Sequence, residues 1–150
     1  MGSFAIFSLL LVLIVTVQKC KSLNCQEVIS PICSDIIRYP VLMPNMFGHT
    51  TQDEANIELS QYYPFLKIGC SPYLKPFLCS AFFSPCTSKG TRKLPCRSLC
   101  ENTMVGCLEV ATRFGFVVPE ALNCARFPEQ TSTSYCIQPE SFGLSPIKHN

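Results

Sequence analysis

The chain has 150 residues, 47% of them hydrophobic, and twelve basic side chains stand against ten acidic ones. That length suits one domain rather than two, and a net charge of +2 leaves no electrostatic footprint for nucleic acid or an anionic membrane surface. Eleven cysteines in so short a chain exclude an ordinary cytosolic history, because disulfides persist in oxidising compartments.

In chain order, residues 4–17 (FAIFSLLLVLIVTV) form an unbroken apolar run, short for a bilayer span and of the length of a secretory signal core. Cys20 and Ser22 are small residues at the minus-three and minus-one positions of a cleavage site after Ser22, which defines a signal peptide over residues 1–22. Cleavage removes the odd cysteine, Cys20, and with it Lys19 and Lys21, so twelve basic residues become ten against ten acidic ones. The mature chain is expected to be secreted and extracellular, with no membrane span.

Residues 26–32 carry β-branched side chains and read as a short strand that Pro31 confines to a sheet edge. Thr51 and Glu54 have the spacing of a capping box, so a helix starts there. Ala55, Leu59, Tyr62, Tyr63 and Leu66 share one of its faces, and Pro64 is expected to end the regular part near Tyr63. Ser71-Pro72 is a second start signal, followed by the stripe Leu74, Phe77, Leu78, Ala81 and Phe82. Pro76 lies inside that stripe and is expected to remove a backbone hydrogen bond and bend the first turn. The longest helix is expected over residues 95–114, with Gly115 as its left-handed stop and Cys96, Cys100, Cys107 and Phe114 along one stripe. A short helical turn follows Pro119, and residues 138–150 read as a polar tail.

Ten cysteines allow about 945 pairings, and spacing does not choose among them. Five bridges at roughly 2 to 4 kcal/mol each exceed the net stability of a typical domain, so the reduced chain is not expected to stay folded.

Little catalytic chemistry is legible. Cys96 and Cys100 have ligand-like spacing for zinc, but the oxidising compartment and the even cysteine set favour disulfides, and neither a metal nor a cofactor is expected. Of the two histidines, His149 sits in the tail and His49 reads as a hydrogen-bonding loop residue rather than a catalytic base. No nucleophile has a local signature and no glycine-rich phosphate cradle is present, so no enzyme is expected. The cluster Lys89, Arg92 and Lys93 reads as a solvated loop. Two aromatic patches are more informative: residues 61–66 (QYYPFL) and residues 114–119 (FGFVVP). Core packing is their ordinary use, but whatever part stays exposed would line an apolar groove for a lipid or protein partner.

The run from Met43 through Pro44, Asn45, Gly48, His49 and Thr51 to Ala55, then residues 61–66, Cys70-Ser71-Pro72, Phe77-Leu78-Cys79, Pro95-Cys96-Arg97-Ser98-Leu99-Cys100, Gly106-Cys107 and Phe114-Gly115-Phe116, closely resembles the cysteine-rich domain of Frizzled receptors and secreted Frizzled-related proteins. The resemblance implies a mostly α, compact, disulfide-rich helical domain with short β segments, covering residues 23–137. It implies the bridges Cys25–Cys86, Cys33–Cys79, Cys70–Cys107, Cys96–Cys136 and Cys100–Cys124. It also implies binding of Wnt-family lipidated proteins, their fatty acyl group lying in a hydrophobic groove. Matched by position, that groove would be lined by Gln61, Tyr62, Pro64, Phe65, Ile68, Val110, Ala111, Phe114 and Phe116. The chain departs from its relatives in having no Asn-x-Ser/Thr sequon, Ala111 and Val118 where methionine and tryptophan are frequent, and Glu109 where proline is common. A smaller side chain at position 111 should widen one groove wall.

The expected function is that of a secreted module that captures lipidated Wnt through the groove and modulates Wnt signalling, as an antagonist, with homodimerisation left open. The alternative from another class is an extracellular carrier of free fatty acid or a sterol-like lipid. A third reading is a truncated receptor product.

Overall fold

The computed structural model describes residues 25–147, and the leader expected over residues 1–22, with Cys20, lies outside them, as does His149. The strands come first: β1 (Cys25–Gln26) pairs antiparallel with β2 (Val41–Leu42), Cys25 opposite Leu42. The strand expected over residues 26–32 is cut short after Gln26. Residues 30–37 instead coil into turns, with Ser34 N–H donating to Ser30 O and Ile37 N–H to Cys33 O. The cause is Gln52, whose buried side chain accepts from Ile29 N–H (2.9 Å) and donates to the Glu27 carbonyl (2.8 Å), so the N-terminal segment is tied to a helix rather than a sheet.

That helix is α1 (Gln52–Ser60). Thr51 caps it, its Oγ1 accepting from Glu54 N–H, while the Glu54 carboxylate accepts back from the Thr50 and Thr51 amides, the reciprocal pattern of a capping box. Those amides hold the exposed Glu54 carboxyl below its usual range. The helix ends at Ser60, and Pro64 does not terminate it. Pro64 sits in the first turn of a separate helix, α2 (Tyr63–Ile68), where its missing N–H has no partner to lose.

α3 (Leu74–Phe82) follows, and the expected distortion at Pro76 is absent for a related reason. With the helix starting at Leu74, Pro76 falls in its first turn, so no intrahelical bond is broken, and Phe77 N–H still reaches Tyr73 O at 2.9 Å. Leu74 through Phe82 are buried except Lys75, so α3 is the central rod rather than an amphipathic surface helix. Its polar Ser80 is satisfied inside the core by donating to Pro76 O at 2.7 Å.

α4 (Arg97–Arg113) packs along α3. It starts two residues later than the hydrophobic pattern suggests, because Pro95 bridges to Ile137 and Cys96 N–H donates to Ile137 O at 2.8 Å. Three short 3-10 turns complete the order: Glu120–Leu122, Cys124–Arg126 and Pro139–Phe142. The last of them lies in the segment read as a tail, yet Pro139 is buried, Phe142 packs on the core, and the Tyr73 hydroxyl donates to Ser145 O at 2.6 Å.

Five disulfides lace these elements: Cys25–Cys86, Cys33–Cys79, Cys70–Cys107, Cys96–Cys136 and Cys100–Cys124. α4 supplies Cys100 and Cys107 and is preceded by Cys96, so one helix is riveted to three other segments. The rivet at Cys70 needs close approach. A Cβ on Gly106 would lie 2.2 Å from the Cys70 carbonyl oxygen. Gly106→Ala is therefore expected to destabilise the domain by ~1–3 kcal/mol in a guanidinium titration, opposite in sign to the gain of about 1 kcal/mol usual for Gly→Ala in an exposed helix.

Candidate functional site: an apolar pocket lined by Phe116

α2 is short, and its C-terminal Gly69 adopts φ 68°, closing it with N–H donation to Phe65 O. Tyr62 and Phe65, three residues apart, consequently face the same way, inward toward α3 and α4. At the far end of α4 the chain reverses through a Schellman motif. Gly115, at φ 68°, donates to Thr112 O at 3.0 Å and Phe116 N–H to Ala111 O at 2.9 Å. This reversal swings the Phe116 ring back over α2, edge-on to Phe65 (4.9 Å between centroids) and to Tyr62 (5.8 Å).

That ring lines one side of a partly open apolar pocket of about 40 Å³. Its walls are Tyr62 at the N-cap of α2 and Phe65 within it, Leu74, Phe77 and Leu78 of α3, Thr103, Met104, Cys107 and Ala111 of α4, and Val118 and Leu122 from the segment after Phe116. Its chemistry is almost wholly hydrocarbon. Thr103 Oγ1 already donates to Leu99 O at 2.9 Å, and Cys107 is held in a disulfide. Apart from the phenol of Tyr62, its lining side chains present no free donor to a polar ligand group.

Four of the nine residues expected in the groove, Tyr62, Phe65, Ala111 and Phe116, meet around this pocket. The first three are buried and Phe116 is half-buried. The others remain outside: Gln61 and Pro64 are exposed, Val110 is half-buried, Ile68 is 52% exposed and Phe114 is 70% exposed. The aromatic clusters thus divide in two. Their inner rings belong to the core, and Ile68 and Phe114 stay in solvent at the ends of α2 and α4. The edge-on rings of Phe116, Phe65 and Tyr62 gain more by packing together than by facing water.

Sequence reasoning missed the deeper walls. Leu74, Phe77 and Leu78 were legible as an apolar stripe, but nothing in their spacing distinguishes a cavity wall from a filled core. Val118 lay within the FGFVVP patch, but Met104 and Leu122 carry no pattern that marks them as walls.

Electrostatics around the pocket are quiet. Burial, with the Glu58 carboxylate adding to it, pushes the Tyr62 phenol up to about 12, so it stays neutral at physiological pH. Burial likewise raises Tyr39. His49 lies on the other side of Phe82, where its Nδ1 accepts from the Asn45 side-chain amide (2.9 Å) and its Nε2–H donates to Glu58 (2.8 Å). The direction follows from Asn45, whose Oδ1 is occupied by the Phe47 and His49 amides, leaving its Nδ2 as the donor. Both ring nitrogens serve the loop that enters α1. Among the described residues no cluster of three His, Cys, Asp or Glu side chains could hold a metal, and no helix is long and apolar enough to cross a membrane.

A second apolar area lies on the outer face of α4, where Val105 (64%) and Leu108 (52%) are exposed beside a Glu109–Arg113 ion pair of 2.7 Å.

The geometry has close counterparts. The family model of the Fz domain matches residues 25–131. Frizzled-1 of Xenopus laevis is 42% identical over 113 residues, which make up 75% of this chain and 20% of that protein, so the chain spans about a fifth of the length of this relative. Among solved structures, the selenomethionine-labelled Smoothened CRD superposes with a TM-score of 0.58 at 25% identity, covering 74% of this chain and 97% of that one.

Proposed function

Because this chain belongs to the Fz-domain family, we propose that it captures Wnt-type lipidated proteins outside the cell, the acyl chain lying in a groove between α2 and the end of α4. In this reading Gln61, Pro64, Ile68, Val110 and Phe114 form the rim, and Tyr62, Phe65, Ala111 and Phe116 form the floor. The observation that carries it is the exposure of Ile68 and Phe114, at the ends of α2 and α4, together with a largely apolar pocket lined by Tyr62, Phe65, Ala111 and Phe116. Exposed large apolar side chains beside a concavity are the usual mark of a hydrophobic partner. Five disulfides and the leader support an extracellular, secreted location.

Magnitudes support an acyl-led affinity. Burying about ten methylenes yields ~8 kcal/mol before the cost of ordering the chain, whereas exposed rim ion pairs contribute about 1 kcal/mol or less. A module that holds the acyl group withholds it from other acceptors, so capture antagonises signalling.

The test is binding of the purified protein to an acylated Wnt and to the same ligand without its acyl chain. Capture is expected to fall by at least ~100-fold, under half of the gross ~8 kcal/mol. Equal binding of both forms, or of neither, contradicts the reading. Free fatty acid or sterol co-purifying with the protein, and no capture of the acylated ligand, would favour the carrier function instead.

A further inference from the structure

We propose that the peptide bond between Lys89 and Gly90 is a processing site for an extracellular protease that recognises a basic side chain, and that its cleavage yields a two-chain form joined by one disulfide, Cys70–Cys107. The inference does not depend on the acyl reading, because residues 87–92 supply none of the walls of the apolar pocket.

Residues 87–91 form a turn outside every helix, between Cys86 and Arg92, which pair across it. Residues 88–92 are all exposed, and Gly90 reverses the chain at φ 67°. The turn is held by its own Thr87: Gly90 N–H donates to Thr87 O at 2.9 Å, Thr91 N–H to Thr87 Oγ1 at 3.0 Å, and that hydroxyl donates to Thr91 O at 2.7 Å. Three hydrogen bonds that water can replace favour the closed turn by roughly a hundredfold, against about several thousandfold or more for the whole domain. A protease therefore reaches this stretch by local opening of the folded protein. Among the described residues Lys89 is the basic side chain best placed for attack. Arg38, Lys93 and Arg126 each precede a half-buried or buried residue, Arg92 donates its guanidinium to Pro44 O, and the remaining lysines and arginines lie in helices. Gly90 puts no side chain beyond the bond to be cut. Hydrolysis there consumes one water, whose oxygen ends in the new Lys89 carboxylate while the released Gly90 nitrogen takes up protons as an amino terminus.

The consequence of the cut follows from the disulfide topology. Cys25–Cys86 and Cys33–Cys79 close before Lys89, Cys96–Cys136 and Cys100–Cys124 close after it, and Cys70–Cys107 alone crosses. The elements from β1 to α3 then belong to one chain and α4 to the other, held by that bridge and by the packing of α3 on α4. The apolar pocket straddles the join, with Tyr62 and Phe65 on the first chain and Ala111 and Phe116 on the second. Cleavage by itself leaves the pocket standing. A dithiol that then reduces Cys70–Cys107, becoming a disulfide in turn, removes the last covalent tie and lets the halves part.

The experiment is limited digestion of the disulfide-intact protein with trypsin, whose acidic specificity pocket takes a basic side chain. The first cut is expected after Lys89, giving one band without reductant, two bands with it, a fragment that begins at Gly90, and a melting transition that stays cooperative. Lys89→Gln should slow cutting at this bond at least ~100-fold with the melting temperature unchanged. Thr87→Ala removes the hydroxyl that holds the turn and should speed the cut about tenfold. Titrated with dithiothreitol, the cut form should lose its melting transition at lower reductant than the uncut protein. A first cut at any other bond, or equal cutting of Lys89→Gln, overturns the processing site. A cut after Lys89 that abolishes the melting transition, or identical reductant sensitivity before and after cutting, overturns the singly tethered two-chain form.

Discussion

The double variant Cys33→Ala/Cys79→Ala is expected to lose roughly 4 kcal/mol of stability, measured by guanidinium unfolding without reductant. The bridge closes a sequence separation of 46 residues, for which the chain-entropy relation gives about that figure. Both sulfurs are fully buried, Cys79 on the central rod α3 and Cys33 in the coiled N-terminal segment, so the loss acts on the core itself. Against a typical net stability of about 5–15 kcal/mol, it takes a large share. The Cys25–Cys86 bridge is the informative control. Its separation of 61 residues gives nearly the same entropic figure, yet Cys25 is exposed on a two-residue edge strand. Without that bridge the N-terminal strand can fray and regain freedom in the folded state, so Cys25→Ala/Cys86→Ala should lose distinctly less. Equal losses would mean that the unfolded chain alone governs both.

Phe114→Glu and Tyr62→Glu should separate binding from folding, although both residues belong to the proposed acyl groove. Phe114 is 70% exposed, and substitutions at such positions usually change stability by no more than about 0.5 kcal/mol. A carboxylate there meets the proposed acyl chain, so capture of an acylated ligand should weaken at least ~10-fold while the melting temperature holds, the equivalent of about two buried methylenes. Tyr62 is 5% exposed and packs edge-on against both Phe82 (6.2 Å) and Phe116. Glutamate at that position loses a buried ring, at ~3–5 kcal/mol, and puts a carboxyl near Glu58. Its expected result is a large fall in thermal stability, with loss of capture as a consequence. Parent-like capture by Phe114→Glu would displace the groove as the acyl site.

The elements most legible in the sequence were those encoded within one helical turn. Thr51 and Glu54 announced the start of α1, and Gly115 its counterpart at the end of α4. Pro64 and Pro76 were read as disruptions because proline was judged against helices assumed to be already under way. Both fall in first turns, and where a helix begins depends on what its neighbours hold in place. The N-terminal segment makes the same point at longer range, since its departure from strand is due to Gln52, more than twenty residues away.

For the site, matching positions to the family was enough to nominate Tyr62, Phe65, Ala111 and Phe116, but not to tell which of the nine turn inward. By itself the sequence determined a cysteine-stapled helical domain and the aromatic material from which any lipid site must be built, because periodicity, caps and cysteine number are local properties of the chain, while the Fz type followed from the resemblance of its motifs. Only the tertiary structure decided that Phe116 folds back onto Phe65 and lines a small apolar pocket while Phe114 stays in solvent. Which of two neighbouring rings turns inward depends on a reversal at Gly115 meeting a helix some fifty residues earlier in the chain, and nothing in the spacing of apolar residues records that meeting.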